Sequence, residues 1–105
     1  LRWVINKFGA LTECIIQKYT AQILQGLIYL HHEGVVHGDI KGENIVVDTN
    51  GRVKIIDFGG PQRHSADSVG TAVYMAPELL NGSKPSYASD IWSIGVLFVE
   101  MAVGR

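Results

Sequence analysis

Within a short span the chain sets two carboxylates, an amide and a lysine: Asp39, Lys41, Asn44 and Asp57. Asp39 and Asn44 bracket a short loop. After it come the β-branched runs IVVD and RVKIID, separated by TNG. Asn50-Gly51 is a strong tight-turn signal, so the two runs form a β-hairpin. A hairpin returns the chain to where it began, which brings Asp57 back near Asn44. A carboxylate and an amide oxygen are hard donors suited to Mg²⁺. Beside them stand a lysine and a second carboxylate. Together these are the parts that phosphoryl transfer needs: metal to neutralise phosphate, a cation on the moving group, and a base for the hydroxyl proton.

Helices must position this loop. LRWVINKFGA reads as a short helix closed by Gly9. Thr12 is then an N-cap, with Glu13 in the first turn favouring the helix dipole. Ile16, Tyr19, Ile23, Leu27 and Leu30 recur at three- and four-residue steps, one apolar stripe on a helix running to about His32. Gly34 supplies its C-terminal stop. Past the hairpin, DFGGPQRHSADSVGTA holds too many small and polar residues for a regular element and reads as a surface loop. The spacing predicts a last helix from about Ser89 or Asp90, SDIWSIGVLFVEMAVG, apolar on nearly every side from Ile91 to Val103. Such a helix wants neighbours all round. The fold class is therefore α+β, mainly α-helical, with a small β-hairpin.

Composition narrows the partners. A net charge of −1 argues against nucleic acid and anionic membrane. The most apolar run, IGVLFV, is too short to span a bilayer. The single cysteine, Cys14, excludes an internal disulfide and Cys-rich zinc sites, and fits a reducing compartment such as the cytoplasm. Its position beside Ile15 on a helix reads as packing rather than reactivity. His31, His32, Glu33 and His37 raise the possibility of a metal cluster. But His32 and His37 are five apart with Gly34 between them, not the i, i+4 pair on one helix face that a zinc hydrolase uses.

HGDIKGEN, then DFG, then YMAPE resemble the catalytic loop, metal-binding loop and activation-segment end of a eukaryotic protein kinase. SDIWSIGVLFVEMAVG resembles the buried helix that follows them in that family. The order and spacings match, and residues 1–105 resemble the middle of a catalytic domain, a segment of its larger lobe. The wording DIKGENIVVD…GRVKIIDFG…GTAVYMAPELL is most similar to the mitogen-activated kinase kinase kinase branch.

The resemblance implies an ATP- and Mg²⁺-dependent kinase acting on a protein substrate, with a MAP kinase kinase as the substrate the branch points to. It implies Asp39 as the catalytic base, Lys41 on the transferring phosphate, and Asn44 with Asp57 on Mg²⁺. Lysine two residues past Asp39 resembles serine/threonine rather than tyrosine kinases. Val46 would pack under adenine, with Leu97 and Met101 below it. Thr71 would bond toward Asp39 and Lys41 and shape the substrate loop. His37 and Phe58 would join the apolar column of active kinases, anchored by Asp90.

Two features depart from the family. Gly38 stands where most members carry the arginine that pairs with a phosphorylated activation loop, and the segment from Asp57 to Glu78 is short. Activity that does not depend on a phosphate at Ser65, Ser68 or Thr71 is therefore expected. The chain also starts at Leu1 without an early methionine. Its 105 residues contain no glycine-rich phosphate loop, paired lysine and glutamate, or adenine hinge. The sequence thus reads as a piece of a larger domain, expected to be nearly inert and marginally folded alone. The alternative is a product without catalysis that serves as a binding or regulatory module; the retained Asp39, Lys41, Asn44 and Asp57 weigh against it.

Overall fold

A computed structural model describes residues 1–57 and 72–105. Helix α1 spans Arg2–Phe8 and stops where Gly9 turns to φ +72°, its N–H donating to the Ile5 carbonyl. Helix α2 spans Glu13–His32, capped by Thr12, whose side chain accepts from the Ile15 N–H at 3.4 Å. Gly34 leaves it at φ +78°. The predicted stripe is the buried face: Ile16, Ile23, Leu27 and Leu30 are buried, and Tyr19 packs against the same core.

Strands β1 (Ile45–Val47) and β2 (Val53–Ile55) pair antiparallel, with Ile45 opposite Ile55 and Val47 opposite Val53. Gly51 turns the chain at φ +80°. Asp48 also holds the turn: its Oδ1 accepts from the Asn50 and Arg52 N–H groups at 2.8 and 2.9 Å. Gln22 of α2 grips the far end of the hairpin, donating to the Gly51 carbonyl at 3.0 Å and accepting from the Val53 N–H at 2.9 Å.

Helix α3 is a single turn, Pro77–Leu80, not predicted from sequence. Helix α4 spans Tyr87–Val103 and begins two residues before the expected start. The reason is a capping box: the Ser86 side chain accepts from the Ser89 N–H, and Ser89 returns the bond to the Ser86 N–H. One face of α4 is core, with Ile94, Leu97 and Met101 packed against Ile5, Ile23, Leu27 and Ile45. Burying side chains of this size stabilises by about 1.5–3 kcal/mol each. The opposite face carries exposed Ile91, Trp92, Val99 and Val103. The C-terminal end of α4 docks on the α1–α2 connection, where the Leu11 N–H donates to the Met101 carbonyl at 2.9 Å. No helix among the described residues is long and apolar enough to cross a membrane.

Candidate active site

The loop from His37 to Asn44 enters the core between α2 and α4. Ile40 is 1% exposed and holds the loop by its side chain. Asp90, in the first turn of α4 and 1% exposed, holds it by its backbone. One carboxylate takes the His37 N–H at 2.9 Å, the Gly38 N–H at 3.0 Å and His31 Nε2 at 2.9 Å. A buried carboxylate needs such partners, and this one draws them from the loop and from α2. Gly38 sits at φ +86°, a left-handed conformation that glycine adopts without steric cost.

Asp39, Lys41 and Asn44 come together. Lys41 Nζ lies 3.7 Å from Asp39 Oδ2. Asn44, buried in a short 3₁₀ turn (Gly42–Asn44), donates through Nδ2 to the Asp39 carbonyl at 2.8 Å and to Asp39 Oδ2 at 3.3 Å. Its amide nitrogen is thereby committed to the loop. The hairpin does what its sequence predicts. The Ile56 N–H donates to the Asn44 carbonyl at 2.9 Å, so Asp57 follows one residue beyond this clasp. Asp57 has the only positive φ among the described non-glycine residues, +60°. Such backbone costs on the order of 1–3 kcal/mol and occurs where surrounding structure over-determines it. Among the described residues no cluster of three or more His, Cys, Asp or Glu side chains could hold a metal. Mg²⁺ needs only one or two protein ligands plus phosphate oxygens.

Val46 is on the face of β1 opposite Ile45 and is 43% exposed, while Leu97 and Met101 are fully buried in the core. Phe58, Ser65, Ser68 and Thr71 lie outside the described residues.

A second polar network was not read from the sequence. The buried Tyr74 hydroxyl accepts from the Gly42 N–H at 3.3 Å and donates to Glu100 of α4. Glu100 in turn accepts from Arg2 Nη1 of α1 at 3.2 Å. Burial, reinforced by the Glu100 carboxylate, holds the Tyr74 pKa far above its ordinary value, so the phenol keeps its proton. The signal was present: Glu100 is a lone acid in the apolar run VLFVEMAV, and such a charge needs partners.

The protein kinase domain family matches this chain over residues 1–105. The chain belongs to the protein kinase family. Mitogen-activated protein kinase kinase kinase A of Dictyostelium discoideum is 44% identical over 97% of this chain and 12% of its own length. Human mitogen-activated protein kinase kinase kinase 19 is 46% identical over 97% of this chain and 9% of its own. Mitogen-activated protein kinase kinase kinase 3 of Arabidopsis thaliana is 42% identical over 97% of this chain and 17% of its own. The kinase segment described here thus spans less than a fifth of each of these relatives.

Proposed function

We propose that the protein carrying this chain is a serine/threonine kinase that moves the γ-phosphate of ATP to a protein hydroxyl, and that residues 1–105 are a segment of its larger lobe. The observation that supports it most is the clustering of Asp39, Lys41 and Asn44 on one loop, with Asp57 delivered beside it by the hairpin. Asp39 is the base that orients and deprotonates the substrate hydroxyl. Lys41 carries positive charge to the transferring phosphoryl group. Asn44 and Asp57 would hold Mg²⁺: with Asn44 Nδ2 given to Asp39, its Oδ1 is the atom left to ligate, and both donors are hard oxygens. Bound Mg²⁺ supplies charge neutralisation at the phosphates. Val46 offers its exposed apolar face to adenine. Lys41, two residues past Asp39, supports serine or threonine as acceptor. The names of the relatives support a MAP kinase kinase as substrate, and the lone Cys14 suits the cytoplasm.

Gly38 shapes the regulatory side of the proposal. Its left-handed backbone and its bond to Asp90 hold the loop from within the fold, and glycine brings no cation to pair with an activation-loop phosphate. Activity set by this anchoring, rather than by activation-loop phosphorylation, follows.

The test is Asp39→Asn in the full-length protein. Turnover should fall by roughly 100-fold or more, the range for loss of a general base, while ATP binding persists. Unchanged turnover would sink the assignment.

A further inference from the structure

Helix α1 turns one side into the fold and another out of it. Leu1 and Ile5, one turn apart, are buried in the core. Arg2 packs against the 3₁₀ turn of the catalytic loop, where a Cβ on Gly42 would meet the Arg2 Cβ at 3.3 Å. Trp3 and Lys7, also one turn apart, share the outer side. The Trp3 ring meets Phe8 edge-on with centroids 6.3 Å apart, and Lys7 Nζ lies 4.9 Å from the Trp3 centroid and 5.9 Å from that of Phe8. Apolar side chains scattered singly on a surface need no explanation, but this is a packed pair of aromatic rings sharing one ammonium. The lysine does not hide them: Trp3 and Phe8 each remain 64% exposed. Its charge is also uncommitted. Arg2, the other charged residue of α1, is paired with Glu100 at 3.2 Å, whereas Lys7 has no carboxylate partner among the described residues.

We propose that this outer side of α1 docks the protein substrate, taking a large apolar side chain on the Trp3 and Phe8 rings and a neighbouring carboxylate on Lys7. Aromatic residues supply rigid apolar area with little conformational entropy to lose, which is why they dominate binding hot spots. Charge decides the partner. An ammonium beside two rings attracts a carboxylate and repels a basic segment, and α1 holds no acidic residue to reverse that preference. The position suits a substrate too. The inner side of α1 touches the turn that carries Asn44, so the patch stands about one helix thickness from the catalytic loop. A segment bound there lies beside the reacting centre without entering it, and its binding acts on KM rather than kcat. The proposal rests on the phosphoryl-transfer reading for its consequence, though not for its geometry.

Two measurements on the full-length protein test it. The first uses a fluorescein-labelled peptide with leucine and phenylalanine set between glutamates and no serine, threonine or tyrosine, so binding is read without turnover. Fluorescence anisotropy should show binding that weakens roughly tenfold or more in Trp3→Ala and falls as salt rises. Lys7→Glu should lose the acidic peptide and gain its lysine counterpart. Both side chains lie on the surface, so an unchanged urea midpoint marks the variants as folded. The second measurement is kinetic. With a protein substrate fused to the acidic segment, Trp3→Ala should raise KM roughly tenfold and leave kcat unchanged, and the same substrate without the segment should not respond. No binding by the wild type, equal binding by wild type and Trp3→Ala, or equal binding of the acidic and lysine peptides would overturn the proposal. A dimer that Trp3→Ala dissociates, in place of peptide binding, would assign the patch to a second copy of this chain and overturn it as well. Peptide binding by a protein that transfers no phosphate would uphold the docking surface and refute the reaction assignment.

Discussion

Replacing Asp90 by alanine isolates the anchoring of the catalytic loop. The carboxylate is 1% exposed and accepts three hydrogen bonds, from the backbone of His37 and Gly38 and from the His31 ring. His31 retains 18% side-chain exposure and can turn to water when its partner is lost. His37 is 3% exposed and Gly38 half-buried, and the Asp90 carboxylate takes the N–H groups of both. Each buried donor left unmade costs about 1–3 kcal/mol. The change should therefore destabilise by about 2–5 kcal/mol, toward the lower end if water enters the space left behind. Against a typical stability of about 5–15 kcal/mol this is a large share. Urea denaturation of the full-length protein should show a lower midpoint, and amide exchange at residues 37 and 38 should accelerate more than exchange at the centre of α2. A shift below about 0.5 kcal/mol, within the range of ordinary surface substitutions, would refute the claim that this carboxylate holds the loop.

Three further outcomes are expected. Gly104 sits at φ +91°, and a Cβ there would fall on the Ala10 nitrogen and within 2.8 Å of the Gly9 carbonyl carbon. Gly104→Ala should lower stability by about 2–5 kcal/mol, clearly more than Gly82→Ala, which shares the left-handed backbone but has open space around it; equal costs by urea denaturation would contradict the packing. Tyr74→Phe removes the hydroxyl that joins Gly42 to Glu100 and should cost about 1–3 kcal/mol at neutral pH. Because the folded state holds the Tyr74 proton more tightly than the unfolded chain, wild-type stability should be full below about pH 10 and decline as the pH rises above it; a Tyr74→Phe variant with the same alkaline slope would contradict this. Ser65→Ala and Ser68→Ala, singly or together, should leave turnover within about threefold of wild type, since one such factor is under 1 kcal/mol; a many-fold loss would mean that a loop phosphate does control the site.

Local signals carried much of this architecture. Thr12, Gly9 and Gly34 mark helix ends by their own chemistry, and the Ile16-to-Leu30 stripe marks the buried face of α2. The return of Asp57 to Asn44 was legible because a two-strand hairpin leaves the chain few other places to go. One local signal was missed: the start of α4 at Tyr87, ahead of the expected Ser89 or Asp90, rests on the reciprocal capping of Ser86 and Ser89, three residues apart. What else escaped depends on partners distant in sequence. His31 reads as a core or surface histidine, and only the approach of α2 to α4 brings it to Asp90, 59 residues later. Arg2 and Glu100 are 98 residues apart, joined across α1 and α4. His37 Nε2 lies 2.8 Å from the Ile56 carbonyl oxygen and the Asp39 N–H donates to Nδ1 at 3.0 Å, through loop geometry that no local pattern encodes.

The most direct test of the account is phosphoamino-acid analysis after incubating the full-length protein and a protein substrate with ATP labelled in its γ-phosphate. Mg²⁺-dependent label is expected on serine or threonine, lost in Asp39→Asn although nucleotide still binds. Label absent from the wild-type reaction, or persisting undiminished in Asp39→Asn, would contradict it.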